Sequence, residues 1–428
     1  MSEKSPRKLL KERKKRLFDA IAIKEPDRVP ISPMSTFFPM LYKGMTQKEA
    51  LYDIERSSQA IIATALEFQW DTAPSVIVMY PVKAFDILDS KLWKWPGAKN
   101  PEQRVPDNAP YQFCEGEYMK ADEYDAYFED PTSFIIRKII PRHYGTLSGF
   151  KRFPSRNAML NGYMAMLGAP LTFNSPEFKA SSQALKDALK EIQIWFQKGV
   201  ESMLKLQRLG FPPVFAGIAQ APFDVVSEFM RGMRGSMLDM YRKPDELLKL
   251  TNSITKPMIE GALQLAVLPD APIVFIPLHR GADGFMSDKQ YAKFYWPSLK
   301  ELMEGLIKAG KTPMPFFEGK YNSRLNYIEE FGKEYPGKII AWFDQTDIFK
   351  AKELFGDKIC IRGNIPGSLM VTGTTHQVEE YVKKCIEIVG ENGGYILDGG
   401  VSGIPDESKP ENVKAMTDAC LKYGIYKK

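Results

Sequence analysis

Histidine is scarce in this chain, with three in 428 residues. One of them opens the run His279-Arg280-Gly-Ala-Asp283, directly after the apolar stretch Val274-Phe-Ile-Pro-Leu278. A histidine with a carboxylate nearby can give or take a proton near neutral pH. Glu318 follows Phe316-Phe317, and such an apolar collar raises a carboxyl pKa and favours its protonated form. Asp344 closes another apolar run, Ile339–Phe343, where an acid could orient a cation or a hydroxyl. Asp347, three residues on, suits a helix cap better. His279, Glu318 and Asp344 are therefore the catalytic candidates. Arg280, Asp283, Gln220, Asn364 and Asp398 stand at comparable run ends and are the substrate-binding candidates. His279, Asp283 and Glu318 could together offer a metal ion hard ligands, although mixed ligands from separate loops are a weak metal signature. Each has a structural alternative. His279 could be a core histidine, Glu318 could pair with Lys320 or Arg324, and Asn364 could bridge loops.

These residues share one feature: each ends a short apolar run bounded by Gly or Pro. Such runs read as buried parallel strands. Eight are found, near 29–34, 72–79, 213–219, 273–278, 312–317, 339–343, 358–361 and 394–397. Helical patterns between them imply an α/β fold with a parallel sheet. Eight strands with polar ends predict a (β/α)8 TIM barrel, whose active site lies at the C-terminal face. The chain reads as one domain, 1–428, with a long insertion between strands 2 and 3. That insertion, 81–210, exceeds ordinary βα connections. Its first part is rich in Pro, Trp and acids, with a hairpin expected around Pro96-Gly97. Its last part, Ser181–Leu209, is an amphipathic helix with Leu185, Leu189, Ile192, Phe196, Val200 and Met203 on the apolar side. The insertion could be a lid over the mouth, a contact in a homodimer, or inert packing on the barrel side.

Composition is that of a globular protein, 44% hydrophobic and 26% charged. The four cysteines form no CxxC pair, which fits a reducing cytoplasmic setting. No apolar run approaches the ~20 residues of a membrane span, and no signal core opens the chain. The net charge of +5 comes from residues 1–17, where eight Lys/Arg face two Glu (8 − 2 = +6). Without aromatic interleaving or a second basic patch, this reads as a solvated helix start. Neither a nucleic acid nor a membrane is an expected partner.

Several stretches occur in an order that resembles the uroporphyrinogen decarboxylase superfamily. They are Arg13-Lys-Lys-Arg-Leu-Phe-Asp-Ala-Ile leading to Glu25-Pro-Asp-Arg-Val-Pro30, Gly217-Ile-Ala-Gln-Ala-Pro-Phe-Asp224, and Asp344-Gln-Thr-Asp347. Gly363-Asn-Ile-Pro366, Gly394-Tyr-Ile-Leu-Asp-Gly-Gly400 and Pro410-Glu-Asn-Val-Lys-Ala415 follow. The resemblance covers about residues 10–425. Decarboxylases of that superfamily carry Arg-Gln-Ala-Gly-Arg after the first strand, for the substrate carboxylates. Here Met34-Ser-Thr-Phe-Phe-Pro-Met40 has no Arg, and a porphyrinogen with eight acidic groups needs cationic partners. The resemblance therefore implies the cobalamin-dependent methyltransferase-like branch. Relatives there hold zinc with His-x-Cys-Gly after the fifth strand and a Cys after the eighth. Phe316, Glu318 and Val401 stand at those positions, so thiol–zinc chemistry is not expected. What the branch implies is methyl transfer between a small molecule, such as a methoxy compound undergoing O-demethylation, and cobalamin. The corrinoid would come from a partner corrinoid protein or as free cobalamin, because no Asp-x-His-x-x-Gly motif occurs here. A carboxy-lyase on a smaller acid and a non-catalytic barrel are the alternatives.

Overall fold

The computed structural model describes residues 5–73, 79–215, 217–265, 272–400 and 403–427, apart from the side chains of 157 and 164. Its centre is a six-stranded parallel sheet in sequence order: β4 (Gly217–Ile218), β5 (Ile273–Leu278), β6 (Thr312–Phe317), β7 (Ile340–Phe343), β8 (Cys360–Arg362) and β9 (Tyr395–Ile396). β5 and β6 pair over their whole length, Ile273 with Thr312 through Leu278 with Phe317.

Alternation along the strands separates two apolar layers, as a period of two requires. Ile273, Met314, Phe316, Ile340, Trp342, Cys360 and Ile396 form one cluster with Leu17, Ala20 and Ile21 of the N-terminal helix Pro6–Ile21. Val274, Ile276, Leu278, Phe317, Phe343 and Ile361 belong to the larger cluster shared with the surrounding helices. In the smaller cluster the Phe316 and Trp342 ring centroids lie 4.3 Å apart. The Arg362 guanidinium lies 4.3 Å from the Trp342 centroid and forms a 2.8 Å ion pair with Asp398.

The first expected strand, 29–34, is reduced to bridges. Pro30 and Pro33 lack N–H donors, so a full ladder cannot form there. Ile31 nevertheless bridges Leu397 in parallel, and Asp71 N donates to Ile31 O at 2.8 Å. The second expected strand, 72–79, falls largely on 74–78, outside the described residues; Ala73 bridges Pro213 in parallel. The basic run at the start also has a structural use. Arg16 pairs with Asp27 and Asp71, and Arg13 donates to Gly210 O and lies over Phe211.

Two expectations for 81–210 are corrected. There is no hairpin at Pro96-Gly97. Gly97 turns the chain at φ +82°, a short 3-10 turn follows, and β2 (Arg104–Val105) returns parallel to β1 (Trp93–Pro96). The antiparallel partner of β1 is β3 (Gln112–Phe113). The long helix exists, as Pro176–Arg208, with its expected apolar stripe divided: Met203 is buried and Ile192 and Val200 are half-buried. Ser181, Ala188, Gly199, Ser202, Met203 and Leu206 are buried, while Leu185, Leu189 and Phe196 are exposed. Ser181, Ala188, Gly199 and Ser202 let this helix approach its neighbours closely, and Met203 and Leu206 pack inward near its end.

No helix among the described residues is long and apolar enough to cross a membrane.

Candidate functional site

β4 leads into the helix Pro222–Phe229, which carries Asp224 and Glu228 one turn apart on one face. Both carboxylates meet the end of β5. Asp224 accepts from His279 N at 2.9 Å, Arg280 N at 3.1 Å and the Tyr295 hydroxyl at 2.8 Å. It thereby satisfies backbone donors that the ladder leaves free and sets the direction of the loop. Burial pushes its carboxyl up to about 6, with the positive charge of His279 opposing and Glu228 adding to the rise.

Glu228 Oε1 holds His279 Nδ1, and His279 Nε2 lies 3.7 Å from Glu318 Oε2. Burial alone would lower the imidazole pKa. The hydrogen bond and charge of Glu228 outweigh it, Asp224 and Glu318 contribute, and the ring is pushed up to about 9. His279 is therefore an imidazolium at neutral pH, bonded on one nitrogen and facing a second carboxylate with the other. Its side chain is 32% exposed and that of Glu318 45%, so the pair is reachable from outside. Glu318 is shifted up by loss of solvent, with Asp344 and Glu228 adding and His279 and Arg280 opposing. Asp344 accepts from Gly319 N at 3.0 Å, which fixes the peptide after Glu318. Its own carboxyl is raised by burial.

The other expected residues are placed as follows. Arg280 reaches Glu115 of the insertion, whose second oxygen accepts from Met233 N at 3.4 Å. Gln220 is half-buried just past β4. Asp283 turns to Ser323, whose hydroxyl donates at 2.7 Å, so it does not join His279 and Glu318 in a metal-binding trio. Among the described residues no group of three His, Cys, Asp or Glu is arranged to hold a metal ion. Asn364 donates to Asp344 O at 3.0 Å and Thr346 O at 2.8 Å, and accepts from Tyr381. Both its amide hydrogens are thus used in tying loops together. Asp398 is wholly buried against Arg362, Met34 N and Gly399 N, with no surface left for a substrate. An expected convergence of His279, Glu318, Asp344 and Asp398 on one pocket is therefore corrected: Asp398 is buried apart, His279 and Glu318 face each other, and Asp344 holds the peptide after Glu318 while lining a separate cleft. Arg231 is likewise buried in bonds to Asp239, Glu117 and Met119 O. Val401 lies outside the described residues.

Sequence reasoning missed Glu228, Asp224 and Glu115 as site residues. The available signal was Asp224-x-x-x-Glu228, two acids at helical spacing among Phe223, Val225 and Val226. Beside Glu228 stands a wall of half-buried rings. Tyr80 and Trp93 are 4.4 Å apart, Tyr80 and Tyr111 4.8 Å, and Phe113 and Phe229 5.8 Å between centroids. Burial and the charge of Glu228 push the Tyr80 hydroxyl up to about 12. On the other side, a cleft of about 900 Å³ opens next to Asp344, lined by Phe349, Pro366, Thr372 and Tyr381 among others.

Parallel strands whose C-terminal ends gather an imidazolium and several carboxyls define an α/β protein with its polar site at the carboxyl edge of the sheet. The family model for uroporphyrinogen decarboxylase (URO-D) matches residues 203–423. The chain belongs to the uroporphyrinogen decarboxylase family. It is 23% identical over 295 residues to a uroporphyrinogen decarboxylase of Hamiltonella defensa subsp. Acyrthosiphon pisum, covering 64% of this chain and 80% of that protein. It is 29% identical over 144 residues to the one of Pseudoalteromonas atlantica, covering 33% of this chain and 39% of that protein. A solved methyltransferase from Methanosarcina mazei superposes with a TM-score of 0.58 at 14% identity, over 96% of this chain and 98% of that one. At that identity the likeness concerns the fold.

Proposed function

We propose that the chain is a methyltransferase component that demethylates a small methoxy compound, with a corrinoid as the methyl acceptor. The observation that carries this reading is the Glu228–His279–Glu318 line, buried at Glu228 and open to the outside at His279 and Glu318. Ether cleavage leaves an oxygen that must gain a proton as its bond to the methyl carbon breaks. Glu318, raised in pKa and backed by an imidazolium, is suited to donate that proton. His279 then restores it, and Glu228 holds the ring in place. The rings of Tyr80, Trp93, Tyr111 and Phe113 suit a planar substrate body. A reduced corrinoid, on a partner protein or free, supplies the nucleophile when bound. The half-exposed edge at His279 and Glu318 leaves room for such a group to approach, and nothing in the described residues encloses one.

We read the strand set as a closed (β/α)8 barrel. The bridges at Ile31–Leu397 and Ala73–Pro213 support this by continuing the parallel ladder from β9 back toward β4. Residues 81–210 form the insertion, and Glu115 brings part of it to the mouth through Arg280.

The test mixes the protein, cob(I)alamin and a panel of aromatic and aliphatic methoxy compounds and follows the methylcobalamin spectrum. Turnover with at least one donor is expected. No turnover with any donor, together with carbon dioxide release from a carboxylated compound, would overturn the reading in favour of a carboxy-lyase. The names of the curated relatives favour that second activity.

A further inference from the structure

The acids buried among the described residues are Asp71, Asp224, Glu228, Asp239, Asp344 and Asp398. A buried carboxylate needs a charge partner to offset its lost hydration. Asp71 has Arg16 and Arg28, Asp239 has Arg231, Asp398 has Arg362 and Glu228 has His279. Asp224 stands near the charge of His279 and accepts three hydrogen bonds. Asp344 alone in this group faces no cation among the described residues. It is 6% exposed, and burial raises its pKa with only Gly319 N–H and the Gln345 amide opposing. Both of those donors go to Oδ2, at 3.0 and 3.4 Å. Oδ1 is left without a hydrogen bond from any described residue.

What Asp344 does face is the cleft of about 900 Å³. Small-molecule sites run from ~300 to ~1,000 Å³. The walls combine Phe349, Val371 and Pro405 with the hydroxyls of Ser368 and Tyr381. No Lys, Arg or His lines them. Lys384 lies over the Phe349 ring at 4.3 Å. Asp347, the other acid in the wall, caps the helix Ile348–Phe355 through Oδ1. The cleft therefore offers one buried, unneutralised carboxylate beside an apolar surface.

The single free oxygen selects the kind of cation. A guanidinium binds a carboxylate best through both oxygens, and Oδ2 is already held by Gly319 N. Calcium or magnesium takes about six oxygen ligands, far more than one carboxylate oxygen supplies. An ammonium needs one strong acceptor with hydroxyls around it, and its carbon skeleton can lie along the apolar wall.

We infer that the cleft between the loops after β7 and β8 is a second binding site, for a small molecule carrying a primary ammonium on an apolar body. Asp344 Oδ1 accepts from the ammonium, and Phe349, Val371 and Pro405 cover the carbon skeleton. The site is separate from the His279–Glu318 pair but joined to it, because Asp344 Oδ2 holds the peptide after Glu318. An occupant thus bears on Glu318 without touching His279.

The experiment is isothermal titration calorimetry of the full chain at pH 7. The probes are butylamine, cyclohexylamine and phenethylamine, each beside the alcohol of the same skeleton. At least one amine should bind, about tenfold or more tightly than its alcohol, the worth of one charge-assisted hydrogen bond. Asp344→Asn should bring that amine down to the level of the alcohol. Ser368 is exposed on the cleft wall, so Ser368→Trp should fill the cleft and remove binding of both while the urea midpoint stays in place. If Asp344→Asn does not fold, the amine–alcohol comparison and Ser368→Trp decide. No heat from any amine at millimolar concentration, equal binding of amine and alcohol, or undiminished amine binding by folded Ser368→Trp would overturn the inference. So would calcium or magnesium chloride binding that Asp344→Asn removes, which would assign the oxygen to a metal ion instead.

Discussion

His279 Nε2 lies 3.7 Å from Glu318 Oε2 while the other ring nitrogen is held by Glu228. The contact is longer than a hydrogen bond, and both groups are open enough for a substrate atom to come against them. A donor oxygen near Glu318 Oε2 would complete a line of proton carriers running from the helix Pro222–Phe229 to the mouth.

Glu318→Gln keeps the shape and removes the acidic proton. Methyl transfer should fall by about 10²–10⁴-fold, the usual worth of general acid catalysis. The urea midpoint should hardly move, because a half-exposed side chain with no short hydrogen bond contributes under about 1 kcal/mol. Single-turnover rates and urea curves for the two proteins check both parts. Equal rates would remove Glu318 from the chemistry.

The rate itself should fall as pH rises through the raised pKa of Glu318, because the protonated form is the donor. If the rate held until near 9 and only then declined, the proton would be coming from His279 instead. A kcat profile in overlapping buffers separates the two.

Glu228→Gln removes the main support of the imidazolium. The His279 pKa should drop from about 9 toward the unperturbed value of ~6.5, read by NMR of the ring protons. The linkage has a definite sign. A raised histidine pKa stabilises the fold fully below ~6.5, and this is lost as pH climbs through about 9. The wild type should therefore lose stability between pH 7 and 9 more steeply than Glu228→Gln. Parallel slopes would contradict the assignment.

His143 behaves in the opposite way. Its ring is buried against Tyr118, with Nε2 2.9 Å from Phe229 O, and burial pushes its pKa down to about 4 despite that bond. Its contribution is present above ~6.5 and is lost as pH falls toward about 4. The full loss is on the order of 3 kcal/mol at 1.36 kcal/mol per pKa unit. His143→Phe should start less stable at pH 7 but show a flatter decline between pH 6.5 and 4, measured by urea unfolding.

Arg362→Met leaves Asp398 buried beside apolar groups. A broken buried ion pair costs about 3–5 kcal/mol. The Asp398 carboxyl, already pushed up to about 6 by burial against the pull of Arg362, should rise further. Adding Asp398→Asn should recover part of the loss. A cost below about 1 kcal/mol would mean the pair is not the interior support described.

Much of this architecture was legible in the residues themselves. The stretches 273–278 and 312–317 are apolar, short and bounded, and they are strands over those same residues. His279, Glu318 and Asp344 were found because each directly follows such a run. Glu228 was not, because its role depends on how one helix leans on the end of β5, which no local pattern records. Asp283 and Asp398 looked equivalent to the true neighbours in sequence. What separates them is direction: one turns sideways to Ser323 and the other inward to Arg362. Periodicity in 181–209 gave the stripe on the helix, but a stripe does not say how much of it faces the body: Met203 is inward, while Leu185, Leu189 and Phe196 are outward.

Trp342 gives the molecule an optical handle. Its indole is wholly buried, tilted against the Phe316 ring and under the Arg362 guanidinium, and its Nε1 donates to Gly399 O at 3.3 Å. Gly400, the next residue, lies against Asp344. An indole in so dry a slot emits toward the blue, and its intensity responds to the polar group it bonds. Of the six tryptophans, this one is wired by a single hydrogen bond to the loop beside Asp344. Substrate arrival at the mouth should therefore register as a change in native fluorescence that Trp342→Phe erases, with no label and no coupled assay.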